Sequence, residues 1–192
     1  MTTPPVQVSA HPLPAPRRAT PPRTGPRIRL SSSQGTGPTR LAAFDAALMG
    51  AGLAGFNLLP LSSVVPLGAT VDVVRPADQL SGRHGDLLYC VYAASYATTP
   101  GAMAWAGMAW GLRTDDSGAG LFVEHSGPTE AAVQADLSAT LGSMMDSRPH
   151  RYEEGGRLVR SATCVDQPVA ALVIASFQTA GWATEPILEQ TR

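Results

Sequence analysis

Hydrophobic and polar positions change period several times along the chain, and each change marks out an element. In residues 38–52, PTRLAAFDAALMGAG, apolar Leu41, Phe44 and Leu48 recur at three- and four-residue spacing. Thr39 can cap the start and glycines close the end, so a helix of three turns is predicted. Residues 128–145, PTEAAVQADLSATLGSMM, set Val133, Leu137, Leu141 and Met144 on one face, with Pro128 in a first turn, and predict a second helix. Strand character marks RIRLSS (27–32), FNLLPLSS (56–63), ATVDVV (69–74), LLYCVYAAS (87–95), MAWAGMAWGL (103–112) and GLFVEH (120–125). RLVRSATCV (157–165) and VAALVIASF (169–177) follow the second helix. Many strands with two main helices, out of strict alternation, argue for an α+β sandwich whose helices cover the sheet faces.

Composition sharpens this picture at the ends. The chain has 192 residues, 44% of them hydrophobic, enough for one sizeable core and a single domain over 27–192. Eight of its 17 prolines fall within residues 1–26, beside Arg17, Arg18 and Arg23 and with no acidic residue, so this Pro/Arg-rich tail is expected to be disordered. Its arginines are not interleaved with aromatics, and a solvated linker is expected instead of a nucleic-acid contact. The opening does not resemble a secretory signal, and the longest uncharged apolar stretch, LLYCVYAASYA, is far short of the roughly 20 residues of a membrane span. Cys90 and Cys164 lie in apolar segments and read as buried free thiols, so the cytoplasm is the expected compartment.

Candidate chemistry is bounded first by an absence. All 14 basic residues are arginine, which excludes a Schiff-base lysine and with it ordinary pyridoxal-phosphate catalysis. GAGLAG at 50–55 matches the dinucleotide fingerprint literally, but it ends a helix and enters a strand, the reverse of the order that seats a pyrophosphate on a helix N-terminus. It reads as a cap and turn. His11, His84, His125 and His150 show no metal-ligand spacing, and no metal is expected. Asp45 falls on the helical wheel between Leu41 and Leu48, inside the stripe that should face the core, so it should find a cation: an arginine of this chain or a cationic ligand. Glu124 ends an apolar strand, where it is either a plain exposed strand end or a carboxyl whose desolvation suits it to donate a proton.

The adjacent Ser62 and Ser63 have two readings. Two serines before a proline-containing turn can simply hydrogen-bond that turn. Alternatively, a constrained Ser63 hydroxyl can attack the preceding carbonyl in an N→O acyl shift. Elimination then frees a carboxyl-terminal Ser62 and leaves dehydroalanine, which hydrolyses to an amino-terminal pyruvoyl group. Such a ketone accepts an amine and acts as an electron sink where pyridoxal phosphate otherwise would. Asn57, just upstream, could polarise the attacked carbonyl.

Residues 41–66, LAAFDAALMGAGLAGFNLLPLSSVVP, together with GLFVEH, resemble the signature segments of the pyruvoyl-dependent arginine decarboxylases, in the same order and spacing. The resemblance extends over about 27–182. It implies a sandwich of mainly antiparallel sheets flanked by helices. It also implies a zymogen that cleaves itself between Ser62 and Ser63 into chains 1–62 and 63–192, with a covalent pyruvoyl group derived from Ser63 and no pyridoxal phosphate or metal. By the same resemblance Asn57 serves processing, Glu124 donates the proton, and Asp45 binds the basic end of the substrate. The implied assembly is a homotrimer, or a dimer of trimers, with sites at subunit interfaces. The implied reaction is arginine to agmatine and carbon dioxide, a step of polyamine biosynthesis. Where family members carry an acidic stretch before the helix, this chain has SSSQGTGPTR, so another basic amino acid stays in view as substrate, as does a non-cleaving trimeric binding protein of the same fold.

Overall fold

The computed structural model describes residues 24–75 and 80–182, so most of the predicted tail lies outside the described residues. In chain order the elements are β1 (Arg27–Thr36), α1 (Arg40–Gly50), β2 (Asn57–Pro60), β3 (Val64–Val65), β4 (Thr70–Val73) and β5 (Leu87–Ala97). They continue with β6 (Met103–Arg113), β7 (Gly120–Gly127), α2 (Glu130–Asp146), β8 (Tyr152–Thr163) and β9 (Val169–Ala180). Five strands form one sheet in the order β2-β5-β9-β1-β4, and four form a second in the order β3-β7-β6-β8. β1–β4 and β2–β5 run parallel. The other described pairs are antiparallel. The expected α+β sandwich is what forms.

Its layers follow from the two-residue period of the strands. In β9, Ala170, Leu172 and Ile174 face α1, while Val169, Ala171, Val173, Ala175 and Phe177 face the inter-sheet core. A strand covered on both sides needs the unbroken apolar run that the sequence supplies. Ile28, Leu30, Met108 and Phe122 fill the space between the sheets with no exposed surface, each contributing about 1.5–3 kcal/mol by leaving water. α2 covers the outer face of the second sheet through Val133, Leu137 and Leu141. Its cap is Thr129, whose hydroxyl accepts from the Ala132 amide at 3.2 Å, so Pro128 stands just before the helix and not in its first turn.

α1 departs from the wheel drawn on sequence. Ala43 and Ala47 are fully buried and Leu48 is nearly so, whereas Leu41 is 75% exposed. The cause is Gly35 on β1: a β-carbon there would overlap the Ala43 carbonyl and the Ala47 amide, so without one the helix backbone lies directly on the strand. Only a small-residue face fits that approach, and the helix turns Ala43 and Ala47 inward. Asp45 therefore sits on the exposed face of α1, not in the core, and no cation among the described residues pairs with it. The GAGLAG segment is the helix end and turn expected, with Gly52 and Gly55 at positive φ. At the amino end the Gly25 amide donates to the Gly68 carbonyl, and Pro26 accepts from Thr70, both at 3.1 Å, so chain pairing begins inside the stretch expected as tail. No helix among the described residues is long and apolar enough to cross a membrane.

Candidate active site

The site begins where the chain changes sheets. β2 pairs with β5 in the first sheet, and the Leu61 amide still donates to the Cys90 carbonyl at 2.8 Å. Two residues later the Phe122 amide of β7 donates to the Ser63 carbonyl at 2.8 Å, and Val64 pairs with Leu121 in the second sheet. Ser62 and Ser63 are the crossing itself. Turning the chain there puts Ser63 at φ +63°, a left-handed conformation that costs a residue with a β-carbon roughly 1–2 kcal/mol. Strain of this kind persists only where neighbours over-determine it, and it clusters at functional sites.

The neighbour is Glu124. The Ser63 hydroxyl donates to its carboxylate, 2.9 Å from Oε1 and 3.1 Å from Oε2. Both side chains are half-buried, while Ser62 is exposed. A carboxylate at this distance can take the hydroxyl proton as Ser63 attacks the carbonyl before it. The hydrogen bond, the strained φ and the accessible preceding peptide are the features that conversion of Ser63 to a pyruvoyl group needs. The residues present fit that group.

These residues open onto a cavity of 360 Å³, which is completed by His125 and by Thr140 and Met144 of α2. The sequence raises His125 only as a metal ligand, and nothing in it marks Thr140. The signal for His125 was its place beside Glu124 in GLFVEH; Thr140 becomes visible only once α2 is laid across β7. The His125 ring, at Nε2, is hydrogen-bonded to the Thr140 hydroxyl at 2.8 Å. Among the described residues, no group of three or more His, Cys, Asp or Glu stands where it could hold a metal ion.

The other sequence candidates lie elsewhere in the chain. Asn57 is at the far end of β2, exposed, and its side-chain amide donates to the Gly85 carbonyl at 2.6 Å, a carbonyl that Trp182 also binds at 2.9 Å. Asn57 and Ser63 are six positions apart along largely extended chain, a reach of at most about 20 Å. Asp45 does not line the cavity either. One chain thus brings Ser62, Ser63 and Glu124 together but not Asn57 or Asp45.

Comparison with known proteins agrees with the geometry. The profile of the pyruvoyl-dependent arginine decarboxylases matches residues 27–179. The chain is 36% identical over 167 residues to the pyruvoyl-dependent arginine decarboxylase of Halobacterium salinarum, covering 86% of this chain and 99% of that one. It is 32% identical over 146 residues to the Thermococcus sibiricus protein of the same name, covering 74% and 89%. For the Thermococcus kodakarensis protein of that name the values are 30% over 155 residues, 79% and 94%. A strained serine held by a glutamate at the crossing of two sheets, in a chain matched over nearly its whole described length, places this protein in the pyruvoyl-dependent arginine decarboxylase family.

Proposed function

We propose that this chain cleaves itself between Ser62 and Ser63 and then decarboxylates arginine to agmatine and carbon dioxide. The observation that carries the reading is the Ser63 hydroxyl bound to Glu124 at a positive φ. In cleavage, Ser63 Oγ bonds to the Ser62 carbonyl carbon, Glu124 takes the hydroxyl proton, and the proton passes to the amide nitrogen as its bond to carbon breaks. Elimination then gives the Ser63 α-proton to a base as the Cβ–O bond breaks and the Ser62 carboxylate leaves, and one water hydrolyses the remaining dehydroalanine to the ketone and ammonia. The resulting ketone supplies the electron sink for loss of carbon dioxide. Glu124, on β7 against residue 63, holds a proton for the carbon that has lost its carboxylate. Leu61, Phe122, Val123 and Met144 make the rest of the wall apolar.

Asp45 is the group for the substrate's guanidinium, a charge-assisted and potentially bidentate contact. Its exposed place on the outer face of α1 supports supply of this acid by a second copy, as in a homotrimer with sites between subunits. Leu41 and Met49, one turn to either side, are 75% and 57% exposed and offer apolar surface for that contact. Asn57 serves processing by holding the start of β2 against the loop that carries Gly85.

Denaturing intact-mass measurement with assay of carbon dioxide from labelled arginine tests the reading. Fragments of 1–62 and 63–192, the second without a free amino terminus, together with release from arginine, support it. An unbroken chain overturns it in favour of a binding protein. Full cleavage with release only from another basic amino acid overturns the arginine assignment alone.

A further inference from the structure

Within the decarboxylase reading, and resting on it, we infer that His125 and Thr140 return protons from solvent to Glu124 between turnovers. Each turnover releases one carbon dioxide and fixes one proton on carbon, so Glu124 ends the cycle as a carboxylate and must be reprotonated. The cavity around it is mostly apolar, and His125 is the other ionisable side chain in its lining.

Strand geometry supplies the route. β3 covers β7 only at Gly120 and Leu121, with one further bond at Phe122. Beyond it, among the described residues, no strand lies along that edge of β7. Phe122 belongs to the inter-sheet core and Val123 to the layer under α2, so Glu124 and His125 start on opposite faces. The open edge lets both line one cavity. Leu61, Ser62 and Ser63 from the crossing and Thr140 and Met144 from α2 are not ionisable in the working range, and the residue opposite His125 on β6 is Gly107. Glu124 is thus the other ionisable group in the lining of the cavity that His125 enters. Thr140 is half-buried and holds Nε2 at 2.8 Å, toward the α2 surface. The imidazolium gives a proton through one water to the Glu124 carboxylate, and the neutral ring regains one from solvent by way of the Thr140 hydroxyl. His125 acts through Glu124 and is a positioning and relay residue, not a catalytic one.

Two measurements test this. The first needs no activity: in the uncleaved Ser63→Ala precursor labelled at histidine, the His125 ring resonances are compared by NMR with and without Glu124→Gln. Groups joined across one cavity should show a displaced His125 ring signal when the carboxylate is removed. A His125 signal identical in the two proteins overturns the inference. The second uses cleaved enzyme, with wild-type release from arginine as the control for the underlying reading. His125→Asn should cleave fully, lose about 10- to 100-fold in kcat with KM little changed, and recover several-fold in imidazole buffer. Thr140→Val, which keeps the ring, should lose a smaller factor with the same KM. If either variant cleaves and keeps wild-type kcat, or if His125→Asn loses activity that imidazole does not restore, the relay is wrong. A silent wild type would instead overturn the decarboxylase reading, leaving the NMR experiment to decide the coupling.

Discussion

The two helices cover the two sheets in different ways. α1 lies with its backbone on β1 at Gly35, and its buried face is Ala43 and Ala47. α2 stands off on a layer of larger side chains. A β-carbon at Gly107 would come within 2.7 Å of Val133 Cγ1 and 2.9 Å of Leu137 Cδ1, and one at Gly111 within 2.8 Å of Met145 Sδ. Outward, the contrast reverses. α2 completes the cavity of its own chain through Thr140 and Met144, while α1 presents Leu41, Asp45 and Met49 to solvent. With sheets packing about 10 Å apart, the acid on α1 and the serine on the second sheet are separated by layers totalling on the order of 20 Å. On the proposed reading, chemistry is assembled within one chain and recognition is supplied by another.

The chemical half breaks first and furthest. Ser63→Ala should leave the chain whole in denaturing mass spectra and abolish release of carbon dioxide, with the melting temperature within a few degrees of the uncleaved wild type. Cleavage of that variant at any rate would remove Ser63 from the reaction.

Breaking the recognition half should look different. Asp45→Asn should cleave completely and keep its kcat, while KM for arginine rises about 10- to 100-fold, the worth of one hydrogen bond to a charged group. The sharper form mixes protomers. Ser63→Ala and Asp45→Asn chains, dissociated and reassembled together, should regain activity that neither has at low arginine, because one subunit then supplies the pyruvoyl residue and the other the acid. Mixtures no better than the sum of their parts would place Asp45 within its own chain or outside the site.

The packing contrast predicts a further split. Gly35→Ala must move a helix backbone, and about 3 kcal/mol of destabilisation is expected, roughly 10 °C in melting temperature for a domain of this size. Gly107→Ala meets the ends of two side chains that can give way, and about 1 kcal/mol is expected. Equal shifts would mean that the two helices dock alike.

What the sequence made legible divides along the same line. Strands covered on both faces, such as β9, announce themselves by continuous apolar runs, and both helices were visible from their spacing, α1 also from its Thr39 cap. Ser62, Ser63 and Glu124 were legible because local motifs carry them. The orientation of α1 was not. Its wheel favours Leu41 by hydrophobicity, whereas the deciding residue is Gly35 on another element, whose missing side chain rewards alanines over leucines. Asp45 was misplaced for that reason alone. The sheet crossing was hidden similarly: FNLLPLSS reads as one strand, and nothing local says that Leu61 pairs with β5 while Ser63 pairs with β7.

The smallest effect concerns what lies beneath α1. Cys90, fully buried against it, has its thiol pushed by burial from an ordinary value near 9 up to about 11, an accepted bond involving Leu59 offsetting only part. Tyr96, further along the same face of β5, is also raised, first by burial and then by Tyr92, with Arg40 opposing. For each group the folded state prefers the proton. The stability this contributes is fully present below the unfolded value and is lost as pH rises through the folded one. For Cys90 the window runs from pH 9 to about 11, and the loss should not exceed about 3 kcal/mol. Tyr96 adds a loss of the same sign in alkali, so the wild-type curve alone does not separate them. The difference between wild type and Cys90→Ala does, since it removes one titration and leaves the other. Denaturant unfolding at pH 8, 9, 10 and 11 should show the two proteins separated by a constant gap up to pH 9, with the gap narrowing above it as the wild type loses its thiol contribution. A gap that stays constant to pH 11 would mean that Cys90 meets solvent in the folded protein and that α1 does not seal the sheet as tightly as its contact with Gly35 requires.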